Sequence, residues 1–110
     1  MSDLISTEDL EQLKEIMDDE FDMLVSMFVD DSTTLVNTIE STIASQDAEA
    51  LRVASHTLKG SSSNMCVLSI SGICANIESK AKEGDFSGLE ELLSELKEIH
   101  PKVIDMLKNF

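Results

Sequence analysis

An all-α fold, an antiparallel up-and-down four-helix bundle with an additional short N-terminal helix, is predicted for this chain by three observations. The first is composition: one proline, four glycines, no tryptophan or tyrosine, and plentiful Leu, Ile, Met, Glu and Lys leave little β-hairpin vocabulary. The second is apolar spacing, which recurs at three and four residues along most of the sequence. The third is the shortness of the links between these runs, which suits antiparallel neighbours.

Ser6 followed by Asp9 resembles a capping box with Asp in place of Glu, and Ile5 and Leu10 occupy the staple positions, so a short helix runs from about Thr7 to Met17. Asp18, Asp19 and Glu20 favour a new N-terminus. A long helix follows, carrying Phe21, Leu24, Val25, Phe28, Leu35, Val36, Ile39 and Ile43 and ending near Ser45. Asp47 caps a third helix, Ala48 to about Asn64, with Leu51, Ala54, Leu58 and Met65 as its stripe. Leu68, Ile70, Ile73, Ile77 and Ala81 mark a fourth, which Gly84 closes in the left-handed conformation. Asp85 opens the last helix, whose stripe is Leu89, Leu92, Leu93, Leu96, Ile99, Val103, Ile104 and Leu107 and which Pro101 kinks. No linker, repeat or low-complexity run interrupts the pattern, so residues 1–110 are expected to form one domain.

The charge narrows the function. With 22 acidic side chains against 8 basic ones, the net −14 repels nucleic acid and anionic membrane surfaces alike. There is no basic and apolar leader and no apolar run near the length that spans a bilayer, so a soluble cytoplasmic protein is expected. Cys66 and Cys74 are too few for a disulfide framework and, with His56 and His100, lack zinc-ligand spacing. Reduced, partly buried thiols and no bound metal are the expectation.

Chemistry concentrates in one stretch, His-Thr-Leu-Lys-Gly-Ser-Ser at 56 to 62. At about 100° per residue, Leu51, Ala54, Leu58, Ser62 and Met65 share a stripe, and His56 lies roughly 160° from its centre, facing solvent. Glu49, Arg52, Val53, Lys59, Gly60 and Ser63 fall on the histidine's side, so the sole arginine and one of seven lysines adjoin it. Gly60 costs a helix interior about 1 kcal/mol relative to alanine, and its bare backbone leaves the imidazole open to a partner's rigid active site. A phosphoryl group adds roughly −1.5 to −2 charges, which Lys59 first and Arg52 second can offset. An exposed imidazole, ordinarily titrating near about 6.5, is mostly neutral at pH 7 and offers a nucleophilic lone pair without an activating base.

These residues, with Ser63-Asn64-Met65 and the downstream Cys74-Ala75-Asn76-Ile77-Glu78 and Gly84-Asp85, resemble the histidine-containing phosphotransfer (HPt) domain of multistep two-component phosphorelays. The resemblance covers almost the whole chain. It implies a four-helix bundle whose exposed histidine takes a phosphoryl group from the aspartyl phosphate of one receiver domain, as in a hybrid sensor histidine kinase, and passes it to the receiver of a response regulator. By the motif, His56 is the phosphoacceptor, Lys59 the cation near the phosphoryl oxygens and Gly60 the small residue that admits the receiver. Arg52 comes from the helical projection alone. Docking is assigned to Glu49, Val53, Gly60 and Ser63, with further residues on an unidentified neighbouring helix. No cofactor is expected in this chain; magnesium is expected in the partner receiver, and the protein is expected to be a monomer and a phosphocarrier without ATP-dependent kinase activity. One departure stands out: the family commonly has glycine ten residues after the histidine, where this chain has Cys66, so a third helix running a few residues further is one outcome.

Two other readings compete. A helical interaction module could bind or sequester a response regulator without accepting phosphate, but it would not need the histidine, lysine and glycine together. A hydrolytic enzyme using His56 as a base lacks a nucleophile, since Ser61 to Ser63 lie too near along the same helix. Lys59-Gly60-Ser61 is not a phosphate-binding loop, having neither the residue order nor the preceding strand. His100, where a kink and partial exposure are expected, reads as a surface or packing histidine, the methionines mostly as core filler with Met23 and Met27 less certain, and the acidic runs as solvated faces.

Overall fold

The structure, a computed structural model, describes residues 4–110. Five helices stand where the apolar spacing places them: α1 Thr7–Met17, α2 Phe21–Ser45, α3 Ala48–Asn64, α4 Leu68–Lys82 and α5 Leu89–Lys108, with one 3₁₀ turn, Asp18–Glu20, between the first two. α2 packs on α3, α3 on α4, α4 on α5 and α5 on α2, which closes a four-helix bundle around one core. At 1.5 Å per residue the 25 residues of α2 span about 37 Å, nearly the 41 Å long axis of the molecule. The core runs along this axis through Phe28, Ile39, Leu51, Leu58, Ile70, Ile77, Leu96 and Val103.

α1 lies outside the ring, against α2. Ile5 and Leu10 are both buried, as staple residues should be, but Ser6 donates its hydroxyl proton to the Asp9 carboxylate at 2.9 Å instead of capping a helix amide. The Ser6 amide donates to the Cys66 carbonyl and the Ser69 hydroxyl to the Leu4 carbonyl, pinning the N-terminal segment to the α3–α4 turn. At the other end Lys14 donates to the Phe110 carbonyl at 3.0 Å and sits over the rings of Phe21 and Phe110.

Three helices end alike. Gln46, Cys66 and Gly84 take positive φ of 57°, 65° and 66°, and in each case two backbone bonds close the turn: for α3, Cys66 N–H to Ser63 C=O at 3.1 Å and Val67 N–H to Ser62 C=O at 2.8 Å. This pairing satisfies the last orphan carbonyls of the helix. Cys66 therefore performs the glycine's turn itself, and α3 stops at Asn64 without extending.

Several expectations are corrected. Asp85 does not open α5; its carboxylate accepts from the Ser87 amide at 3.0 Å and the Ser87 hydroxyl at 2.6 Å, forming a turn, and the helix starts at Leu89 after Gly88 at φ 74°. α5 stays helical through Pro101. His100 is not partly exposed: α5 turns it inward, 8% exposed, with Nε2 2.8 Å from the Ser32 hydroxyl of α2. Leu68, counted in the α4 stripe, is exposed because it sits at the helix's first position, before the turn that packs. Among the methionines only Met65 is buried; Met17 and Met106 are half-buried, Met23 and Met27 are exposed, and Met1 lies outside the described residues. No helix among the described residues is long and apolar enough to cross a membrane.

Candidate functional site

The site is built on the middle of α3, where packing fixes the helix on one side and leaves the other open. Asp47 caps it, accepting from the Ala50 amide at 3.1 Å. Leu51, Ala54, Ser55, Leu58 and Ser62 face the core, and the Ser55 hydroxyl satisfies itself on the Leu51 carbonyl at 2.8 Å. His56, one residue on, is thrown outward with 63% of its side chain exposed.

Beneath the ring lies a residue the sequence reading did not single out as functional. Glu78 of α4 is only 5% exposed, yet its carboxylate gathers three partners: His56 Nδ1 at 2.9 Å on Oε2, Lys59 Nζ at 2.6 Å on Oε1, and Lys82 Nζ at 3.7 Å on Oε2. Its signal was present in the spacing. Glu78 follows Ile77 and stands four residues after Cys74 and three before Ala81, all buried, so it interrupts the inner stripe of α4. A carboxylate placed there must find cations or donors, because an unpaired buried charge is costly. The Lys59 ammonium holds the Glu78 carboxyl below the usual glutamate range, against the upward push of burial, and His56 adds to it.

An ionised carboxylate can only accept, so the imidazole must carry its proton on Nδ1. That tautomer leaves the lone pair on Nε2, and the ring's exposure makes it available to a partner.

The other expected site residues separate into two groups. Lys59, one-third exposed, is at the histidine as the spacing requires, while Arg52 donates two bonds, of 3.0 and 2.8 Å, back along the helix to Glu49. Each of these two draws the other further into its charged form, Glu49 downward and Arg52 upward. Val53 and Gly60 are exposed beside His56, and a methyl group at Gly60 would meet no atom within 4 Å. Ser63 is tied to α4 by a 2.7 Å bond between its hydroxyl and that of Ser71.

The exposed strip continues from α3 onto α2. Thr57 and Ser61 border a shallow recess with Asp31, Thr34 and Leu35, and beyond it a groove of about 450 Å³ is walled by Met17, Leu24, Met27, Phe28 and Met65. The thiols take no part: burial pushes Cys74 up to about 12 and also raises Cys66, so neither offers a thiolate near neutrality.

Comparison with known proteins identifies the family. The model of the Hpt domain family matches residues 23–106. The crystal structure of histidine-containing phosphotransfer protein B (HptB) from Pseudomonas aeruginosa PAO1 superimposes with a TM-score of 0.94 at 28% identity, over 99% of this chain and 95% of that one. No curated protein matches the sequence. With the family model covering most of its length and an HPt bundle matching nearly all of it, the chain belongs to the Hpt family of histidine phosphotransfer proteins, phosphocarriers of phosphorelays rather than kinases.

Proposed function

We propose that residues 1–110 form a single Hpt domain in which His56 is the phosphoacceptor, reacting through Nε2. The observation that carries this is the 2.9 Å contact of Nδ1 with the buried Glu78 carboxylate, which fixes the tautomer and leaves Nε2 bare. In the forward step the Nε2 lone pair attacks the phosphorus of an aspartyl phosphate on a receiver domain. The N–P bond forms, the P–O bond to the aspartate breaks, and its electron pair stays on the receiver's carboxylate. The positive charge left on the ring is balanced by Glu78 through the Nδ1–H it already holds. The reverse step delivers the group to a second receiver, so one atom serves a hybrid kinase's receiver and a response regulator's.

Lys59 supplies the nearer cation for the phosphoryl oxygens and Arg52, committed to Glu49, a more distant one. The receiver brings the magnesium that neutralises charge in the transition state, since phosphoryl transfer rests on positioning and electrostatics. The face that docks the receiver comprises Glu49, Val53, Gly60 and Ser63 on α3 and continues onto α2, where Asp31 borders the recess and Met27 the groove beyond it. Met27 and, one turn before it on α2, Met23 are exposed apolar side chains on this side of the helix, the kind of surface a partner covers. The protein works as a cytoplasmic monomer.

The test is to mix the protein with a receiver charged by a small phosphodonor and magnesium, and to map acid-labile phosphate by mass spectrometry beside a His56→Gln control. Label on His56, absent from the control, is expected. Receiver binding without label would turn the reading to a module that sequesters a response regulator.

A further inference from the structure

Every cation around His56 already has a carboxylate. Arg52 is bound to Glu49, and Lys59 and Lys82 converge on Glu78. A phosphoryl group on Nε2 adds roughly −1.5 to −2 charges at this point, and Lys59, one helical turn along α3, is the cation nearest in sequence to meet it. Yet Lys59 holds Glu78 at 2.6 Å, and a carboxylate 5% exposed cannot be left without its ammonium. Lys82 resolves the conflict. It stands one turn after Glu78 on α4, is 59% exposed, and already lies 3.7 Å from Oε2, a separation that leaves room to close.

We infer that Lys82 is a positioning residue of the phosphotransfer site, taking over the Glu78 carboxylate when Lys59 turns to the phosphoryl group on His56. This rests on His56 being the phosphoacceptor. In the free protein Lys82 is a loose third partner. In the phosphorylated protein it is the ammonium that keeps Glu78 ionised and the Nδ1–H bond intact, so its effect appears in the lifetime of the phosphohistidine and not in the stability of the unmodified fold.

The experiment charges the full chain with phosphoramidate, which phosphorylates histidine without a receiver, and follows loss of the His56 label at pH 7.5. Lys82→Ala should shorten the lifetime several-fold, Lys82→Arg should restore it, and the unmodified Lys82→Ala protein should melt as the parent does. In a Glu78→Gln background, where no carboxylate needs a cation, Lys82→Ala should change nothing. A Lys82→Ala lifetime equal to the parent's overturns the exchange. So does a several-fold loss that persists beside Glu78→Gln, because Lys82 would then act on the phosphoryl group directly. Failure of the parent itself to take label at His56 while staying folded overturns the phosphoacceptor assignment, and the exchange with it.

Discussion

Oε2 of Glu78 lies 2.9 Å from Nδ1 of His56, across the interface between α4 and α3, and it fixes which ring nitrogen is free. The histidine is thus oriented by the neighbouring helix, although its motif lies wholly on its own.

Removing that carboxylate frees the ring to turn and to change tautomer. Glu78→Ala is expected to slow phosphoryl transfer from a charged receiver by about tenfold or more, the scale seen when a partner that orients a histidine is lost. Glu78→Gln, which keeps an acceptor, should lose less. Rapid-quench measurement of both variants at saturating receiver separates this loss from weaker docking.

Gly60 sets stability against function. The space beside it is open, so Gly60→Ala should stabilise the helix by about 0.5–1 kcal/mol while slowing transfer, because the added methyl stands where the receiver approaches. Urea denaturation and transfer assays on one preparation check both halves.

Gln46 and Cys66 hold left-handed conformations that L side chains adopt at a cost. Gln46→Gly, at an exposed position, should gain about 1 kcal/mol, and Cys66→Gly less, since the half-buried thiol gives up packing against the core. Thermal melts of the two variants test the ranking.

Burial holds the His100 imidazole below its ordinary range. Protonation then favours the unfolded chain, so stability is full above the unfolded histidine value of about 6.5 and falls as pH drops from there toward the lower folded value. His100→Gln, able to keep a bond to Ser32, should flatten this slope below about pH 6.5 in urea titrations.

The helices and the histidine motif were legible because both are local. Apolar spacing marks a helix wherever one face is buried, and His56, Lys59 and Gly60 lie within two turns. What escaped was cross-helix: Glu78 becomes part of the site only when α4 packs on α3, and His100 finds Ser32 only when α5 meets α2. The start of α5 was misplaced because Asp85 serves equally well as a helix cap and as a turn residue, and its hydrogen bonds to Ser87 decide between them. Cys66 hid a glycine's conformation behind a side chain, since the closing bonds of α3 depend on backbone and not on residue type.

The most direct measurement is heteronuclear NMR of the ¹⁵N-labelled, phosphorylated protein, reading which ring nitrogen of His56 couples to phosphorus. Coupling at Nε2, with Nδ1 still protonated toward Glu78, is the expected result. Phosphorus on Nδ1, or on a residue other than His56, would contradict the orienting role of the Glu78 carboxylate.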